Sequence, residues 1–476
     1  MTMNLKMIFL SFVFISIIFT SFSPGTSEAI PAFARKYNLT CTVCHTKPPR
    51  LNPFGEAFHM AGFQIPMTGG GETIKKEKIG RVNLETNFLN IFALRTYGNL
   101  AESYQESEDR SEFKLTLPQA VELYMAGTIT QDISFFFELE NELYEIEGVG
   151  DDYEMSSKFG LGKEFFLMFN LDPYRKKLFG KNRNDHKMEH GSVRMMSHGP
   201  MIMIGKIDPS TNFSYSTNRQ FLLNIPGEVE SDTIKQFGLT PYAFASKFFG
   251  MKTGEGNLIE VTKPVLYNTT GDLGVDIHGM MGPFLYQAGA MQGAKSGMSD
   301  VNEKKDIYFV GRYNFGDEGF LSGSLSGLAY WGNDSGSVST TSGSSITNLI
   351  DWLRYGFAGN IKYKLFDIYG ALMWDKVNDL PQTTQAIFDD TAFGFTVEMD
   401  YLATDHLLLS ARYDQLDAGG FITEKENGKV MSLQAKYYTR DNFSLFIRDS
   451  FNVEGKSKNP LNSYRNLITL GVDLDF

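Results

Sequence analysis

The 476-residue chain is poor in cysteine, in positive charge and in long apolar runs. It has two cysteines, so each has only the other as a possible disulfide partner. Its 44 lysines and arginines stand against 56 aspartates and glutamates, and the net charge of −12 argues against nucleic acid as a partner and favours cations or basic proteins. Beyond the N-terminus no apolar run is long enough for a transmembrane helix. No G-x-S-x-G elbow or phosphate loop supports an enzyme of those classes.

Glycine and aromatic residues, by contrast, are plentiful. The 46 glycines and the aromatic content of 14% are high for a soluble enzyme, and both suit the strands and interfacial girdles of a membrane β-barrel. The chain is also long for one ordinary soluble domain, and its length suits a large barrel with a small appendage.

Residues 1–29 are predicted to be a secretory signal peptide. They combine an early lysine, an apolar run over 8–19 and a small-x-small cleavage site at 27–29. The apolar run is short for a membrane helix, so an uncleaved anchor is the less favoured alternative. Export would carry both cysteines into the compartment where haem is attached to such thiols.

The two cysteines stand in the pentapeptide 41–45, Cys-Thr-Val-Cys-His. C-x-x-C-H is the attachment signature for c-type haem. In it the thiols of Cys41 and Cys44 each add to one vinyl group, and the imidazole of His45 reaches the iron as the proximal axial ligand. A thioredoxin-like redox pair is the alternative, but no βαβ pattern surrounds the motif. We therefore predict one covalent haem c per chain.

Residues 30–67 are predicted to form the haem segment, a small α-helical cytochrome c unit. A short helix leads toward Cys41, an extended loop over 46–53 holds three prolines, and a second helix covers 54–63. About forty residues cannot bury enough surface to fold alone. The haem and a larger body must therefore supply the rest of the core.

The sixth ligand of the haem iron stays open at this level. Met67, His59 and Met60 are the candidate distal ligands near the motif, and a residue of the barrel lumen is a further possibility. A methionine ligand would raise the reduction potential, and a histidine would suit a carrier of lower potential. Each methionine also has an alternative role in core packing.

A second group of histidines lies in the insertion 172–199. His186, His190 and His198 fall within thirteen residues, and the first two would share one face of a helix. They are candidate metal ligands. The favoured alternative is a polar surface loop that happens to contain histidines.

Residues 68–80, which begin with a glycine run, are predicted to be a flexible linker. Residues 81–476 are predicted to form a porin-like outer-membrane antiparallel β-barrel of about sixteen strands, so the fold class is all-β. The pattern is clearest at the C-terminal end, where Ile468, Leu470, Val472 and Leu474 alternate with polar or small residues before the terminal phenylalanine. The predicted strands cover 81–94, 115–128, 133–143, 164–171, 201–208, 273–281, 283–291, 307–315, 319–331, 354–365, 366–376, 391–401, 406–414, 430–438, 443–451 and 468–476.

Three insertions, 144–162, 172–199 and 209–271, are too long for barrel turns, and we expect them to be surface loops or lumen plugs. The stretch 335–345 is rich in serine, threonine and glycine, and is predicted to be an exposed loop tip.

The assembled pattern resembles the fused monohaem cytochrome–porins of bacterial outer membranes, a family that includes iron-oxidising cytochromes. The resemblance is closest in residues 29–35, in the C-x-x-C-H motif and in Asn52-Pro53-Phe54-Gly55 with the aromatic residues that follow. It covers about forty residues specifically, whereas the barrel matches in architecture only. The resemblance implies Fe(II) oxidation at the cell surface, with the electron passed to a periplasmic cytochrome.

The sequence pattern is consistent with three functions. The first is an electron conduit that accepts electrons from extracellular Fe(II), or another donor, and hands them to a periplasmic c-type cytochrome or other carrier. The alternatives are a haem-plugged porin for solutes and an outward conduit for metal reduction. All three imply contact with outer-membrane lipid and none with nucleic acid.

Overall fold

The computed structural model describes nineteen stretches of the chain. These are residues 32–37, 39–63, 76–79, 82–85, 91–107, 110–130, 132–147, 154–171, 199–213, 250–252, 258–260, 272–292, 304–317, 321–339, 345–378, 391–417, 428–440, 442–453 and 466–475. The predicted signal peptide lies outside them.

Sixteen antiparallel strands form one closed barrel. Each strand pairs with its neighbours in the chain, and β16 pairs with β1 to close the cylinder. The strands are β1 Phe92–Ser107, β2 Arg110–Thr128, β3 Ile133–Glu147, β4 Glu154–Asn170, β5 Met201–Ile207, β6 Asp272–Met281, β7 Phe284–Met291, β8 Asp306–Asp317, β9 Leu321–Ser339, β10 Ser345–Tyr363, β11 Phe366–Asn378, β12 Thr391–Leu402, β13 Leu407–Asp417, β14 Gly428–Arg440, β15 Phe443–Asn452 and β16 Asn466–Asp475.

Alternation along each strand separates an apolar outer face from a polar lumen. In β10, Phe357 is 62% exposed and Ile361 49% exposed, whereas Arg354 and Asn360 between and beside them are buried inside. Leu325 on the neighbouring strand β9 is 63% exposed. An apolar exterior with a polar interior, on a sheet without free edges, is the architecture of an outer-membrane β-barrel. The predicted fold class, the approximate strand count and the outer-membrane location are confirmed.

The two ends of the barrel differ in their connections. At one end, six of the seven connections have four residues or fewer, as in the turns 282–283 and 364–365. We call this end the short-turn mouth. Most connections at the other end are longer, and bacterial barrels keep their short turns on the periplasmic side. The short-turn mouth is therefore the periplasmic end.

A compact segment, residues 32–63, lies inside the barrel. It consists of three helices, α1 Ala32–Tyr37, α2 Cys41–Cys44 and α3 Pro53–Met60. The strands His45–Lys47 and Arg50–Leu51 form a small hairpin between α2 and α3. In the described stretches, no helix is long and apolar enough to cross a membrane.

The insertion that follows β5 also enters the lumen where it is described. Its first residues form α4, Ser210–Phe213, and Phe213 is buried in the main apolar cluster of the lumen. Ser326 on β9 donates a hydrogen bond to the Phe213 carbonyl, and Asn212 donates one of 2.9 Å to Gln287. For these residues, the plug alternative is the correct one. The rest of the insertion, apart from the short pair Gly250–Lys252 and Leu258–Glu260, lies outside the described residues.

Four predicted boundaries were wrong. The first barrel strand begins at Phe92 rather than at residue 81, because residues 82–85 pair with 76–79 in a separate two-stranded sheet. That pair also places part of the predicted linker in regular structure. The supposed loop 144–162 belongs largely to β3 and β4, and the supposed loop tip 335–345 continues β9 and begins β10. In the last two cases the strands extend beyond the roughly ten residues that a membrane requires, so stretches expected to be loops belong to strands.

Candidate functional site

The attachment motif is held in a tight local fold. Helix α2 brings the two cysteines one turn apart, and the His45 N–H donates to the Cys41 carbonyl at the helix end. Asn52 then caps α3, because its side-chain oxygen accepts a hydrogen bond of 2.9 Å from the Gly55 N–H. Its amide group donates to the Val43 carbonyl at 2.9 Å. One side chain thereby ties α3 to the motif.

Helix α3 also approaches the motif very closely. The Asn52 N–H donates a hydrogen bond of 2.9 Å to the Cys44 carbonyl. A Cβ on Gly55 would overlap that same carbonyl oxygen. Only glycine fits at this position, so the Asn-Pro-Phe-Gly sequence and the C-x-x-C-H motif form one structural unit.

An aromatic cluster holds the two ends of the segment together. Phe33 of α1 stacks on Phe63 at a centroid distance of 4.9 Å, and Phe58 meets Phe33 edge-on at 5.2 Å. The Tyr37 hydroxyl donates to the Phe63 carbonyl at 2.9 Å. On the barrel side, Phe136 of β3 stacks on Phe63 at 5.5 Å. The segment thus completes its core with side chains of the barrel wall.

Arg50 binds the segment to the opposite wall of the lumen. Its side chain is fully buried and lies 3.1 Å from Asp367, 2.6 Å from Asp400 and 2.5 Å from Glu398. The three carboxylates come from the ends of β11 and β12 at the short-turn mouth. A buried cation that meets several carboxylates is held strongly in place, since removing either partner leaves uncompensated charge.

Further polar contacts join the segment to the wall around this mouth, and each pairs one residue of the segment with one residue of a strand. They are Glu56 with Arg312 at 2.6 Å, Thr46 with Lys362 at 2.7 Å, the Pro48 carbonyl with the Tyr438 hydroxyl at 2.7 Å, and the Met60 carbonyl with His278 Nε2 at 3.3 Å. The contacts surround the segment, so the barrel positions it from several sides.

A cavity of about 310 Å³ opens beside the motif. Cys41, Cys44 and His45 all line it, and so does His59 of α3. Apolar and aromatic residues of the segment and of β1–β3 form most of the remaining wall. A polar strip of barrel residues completes it, namely Arg95, Tyr124, Glu138, Glu164 and Asn442.

The residues around this cavity fit a covalently attached haem. Neither cysteine is in a disulfide. Burial, together with the neighbouring Cys41, raises the pKa of Cys44 to about 11, so Cys44 is a protonated thiol at neutral pH. The volume lies within the range of roughly 300–1,000 Å³ typical of cofactor sites. The mainly apolar lining matches a porphyrin face, and the histidine of the motif lies on the same cavity as the thiols.

The structure separates the other candidate residues. His59 lines the cavity, whereas Met60 packs on another side of α3 against Met280 and Leu285 of the wall. Met67 lies outside the described residues. Among those described, no group of three or more His, Cys, Asp and Glu side chains is placed to hold a metal ion.

The histidines of the insertion 172–199, which are His186, His190 and His198, also lie outside the described residues. The strands that flank the insertion, β4 and β5, meet it at the short-turn mouth.

Sequence reasoning missed the wall residues that complete the site. Arg95 of β1 reaches the cavity while Asp473 of β16 accepts from its guanidinium at 3.0 and 3.2 Å. The alternation of each strand shows that such residues face the lumen, but it does not show which of them meet. Only Arg50 could have been singled out from the sequence as a contact to the wall. It is a charged residue among prolines and apolar residues, in a segment expected to be buried.

No protein-family model matches the chain, and no curated protein matches it. Solved outer-membrane proteins are among the structures to which the chain is similar, at low identity. A loop L8 deletion mutant of OmpT, an outer membrane protein of Vibrio cholerae, is 11% identical with a TM-score of 0.43, over 81% of this chain and 98% of that chain. OmpF of Salmonella typhi in complex with daunomycin is 10% identical with a TM-score of 0.44, over 81% and 97%. An anion-selective porin from Comamonas acidovorans is 12% identical with a TM-score of 0.44, over 81% and 98%.

Proposed function

We propose that this outer-membrane barrel is a monohaem cytochrome that passes electrons between the cell exterior and the periplasm. One observation carries the proposal: Cys41, Cys44 and His45 line a single, mainly apolar cavity inside the barrel. The two thiols would hold a haem c covalently and His45 would bind its iron. The bound haem would supply a one-electron Fe(III)/Fe(II) couple.

The surrounding residues have defined tasks in this proposal. The aromatic cluster around Phe58 and Phe63 excludes water from one side of the cavity and keeps its dielectric constant low. Arg50 and the other wall contacts hold the segment in one orientation. The barrel wall keeps the site away from lipid, so that charge enters and leaves along the lumen.

The position of the cavity favours a periplasmic partner at the short-turn mouth. The cavity touches the first residues of β1, including Arg95, and residue Asn442 of the turn between β14 and β15. A periplasmic c-type cytochrome would dock at this mouth, close to the cavity. The opposite mouth is far away, since the 19 residues of β10 span roughly 60 Å along the strand at about 3.3 Å per residue.

We propose Fe(II) as the external donor, with electrons flowing inward. The net charge of −12 and the carboxylates of Glu138 and Glu164 in the cavity wall favour the approach of a cation. The resemblance to iron-oxidising cytochromes points to the same donor. Outward electron flow to a metal would use the same residues. It would require a haem with a lower reduction potential than inward flow from Fe(II) requires.

The closed barrel itself favours a second candidate, a haem-plugged porin for solutes. Against this, residues 32–63 and α4 occupy the lumen and contribute to an apolar cluster of buried side chains. A solute path would have to pass these residues.

The test uses the full protein in liposomes with a haem-reporting absorbance measurement. We expect covalent haem, and we expect external Fe(II) to reduce it. Cys41→Ser should weaken attachment, and His45→Ala should change the spectrum and stop reduction. A protein without covalent haem would overturn the proposal. A haem that stays oxidised in excess Fe(II), while solutes cross the barrel equally in wild type and His45→Ala, would establish the porin instead.

A further inference from the structure

His59 of α3 lies on the same cavity as the attachment motif, and its side chain is 8% exposed. We propose that His59 is the second axial ligand of the haem iron, so that the protein carries a bis-histidine haem. The inference rests on the proposed function, because it needs a haem in this cavity. It selects one ligand from candidates that the sequence leaves open.

The surroundings of His59 suit a metal-binding imidazole. Its ring meets Phe63 at a centroid distance of 5.3 Å, Phe166 at 6.2 Å and Phe136 at 6.5 Å, and all three contacts are close to edge-on. Three aromatic rings of this kind fix the plane of the imidazole and exclude water. The cavity that His59 lines is the one that Cys41, Cys44 and His45 line, so its imidazole is within the same site as the proposed haem.

The neighbouring methionine is held elsewhere. Met60 is 2% exposed and packs with Ala57, Met280 and Leu285, on the side of α3 that faces β6 and β7. Its carbonyl is a hydrogen-bond partner of His278 Nε2 at 3.3 Å, while His278 Nδ1 lies 2.7 Å from Asp276. The wall therefore holds the backbone next to His59, so that helix α3 cannot easily rotate Met60 toward the cavity.

A bis-histidine haem has consequences for the potential. Methionine as an axial ligand raises the reduction potential of a c-type haem relative to histidine. This protein is then a lower-potential carrier than a His/Met cytochrome. Its donor must be correspondingly reducing, as Fe(II) is when its ferric product is removed by hydrolysis.

The experiment is low-temperature electron paramagnetic resonance and near-infrared magnetic circular dichroism on the oxidised full-length protein in detergent. The wild type should be low-spin with bis-imidazole signals and without the charge-transfer band of methionine ligation. His59→Ala should retain covalent haem and become high-spin, and added imidazole should restore the low-spin form. His59→Met should raise the potential. Met60→Leu and Met67→Leu, the matched controls, should leave the spectrum unchanged.

The outcomes separate this inference from the proposed function. Methionine signals in the wild type, or a low-spin spectrum that survives in His59→Ala, overturn His59 as the ligand while the haem site stands. A purified wild type without covalent haem overturns the proposed function and this inference with it. The wild-type spectrum decides between histidine and methionine without any variant, and the loss of the low-spin form in His59→Ala with its recovery in added imidazole assigns the histidine to position 59.

Discussion

At the residue level, Arg50 is the side chain on which the position of the segment depends most. It is fully buried and meets carboxylates that lie more than 300 positions away in the chain, on β11 and β12. No sequence pattern could have paired them, because the alternation of a strand reports only which side faces the lumen. The attachment motif is different, since its chemistry is complete within five residues.

Arg50→Ala is predicted to loosen the segment without dissolving the barrel. The substitution leaves Asp367, Glu398 and Asp400 buried without this cation, and breaking such a buried pair costs about 3–5 kcal/mol. Limited proteolysis should cut residues 32–63 faster, while the barrel strands stay protected. Arg50→Lys keeps the charge but lacks the forked geometry of the guanidinium. Its rate of cleavage in residues 32–63 should lie between those of the wild type and Arg50→Ala. Equal protection in all three proteins would show that the aromatic cluster and the other polar contacts hold the segment without Arg50.

At the level of elements, the strands were largely predictable and their ends were not. Fifteen of the sixteen predicted strands coincide with strands of the barrel, because the lipid-facing residues must be apolar at every second position, whereas the first overlaps β1 only over residues 92–94. The apolar alternation weakens where a strand extends beyond the membrane. The predicted ranges for β9 and β10 are therefore shorter than the observed strands. The start of β1 was misplaced for a related reason, since residues 99–107 are mostly polar while the separate strand Val82–Glu85 alternates well.

The contact between α3 and the attachment motif yields a second prediction. Gly55→Ala introduces a Cβ that overlaps the Cys44 carbonyl, so α3 must shift away, and overpacking of this kind costs about 1–3 kcal/mol. We expect a lower yield of covalent haem and an altered visible spectrum. Gly327→Ala is the matched control, because the nearest atom to its added Cβ lies 3.9 Å away. An unchanged spectrum in Gly55→Ala would contradict the close approach of the two elements.

At the level of the whole molecule, the barrel and the segment depend on each other. A segment of this size cannot bury enough surface to fold alone. The barrel supplies Phe136 and Phe166 to its aromatic core and a ring of polar contacts to its outside. In return, the segment occupies the lumen at the short-turn mouth, and α4 is another described element inside the barrel. The sequence indicated this dependence through length alone, whereas the wall residues that satisfy it emerged only from the closed sheet.

The last prediction concerns ion flow through the lumen. If residues 32–63 close the short-turn mouth, the wild-type barrel in a planar bilayer should conduct far less than an open sixteen-stranded porin. A variant that lacks residues 32–75 removes the segment and its polar contacts but retains all sixteen barrel strands, so its conductance should rise several-fold. Arg50→Ala should show brief openings, because the segment stays tethered but loses its buried ion pairs. High conductance in the wild type, equal to that of the deletion variant, would mean that solutes pass the segment, and the protein would then function as a pore.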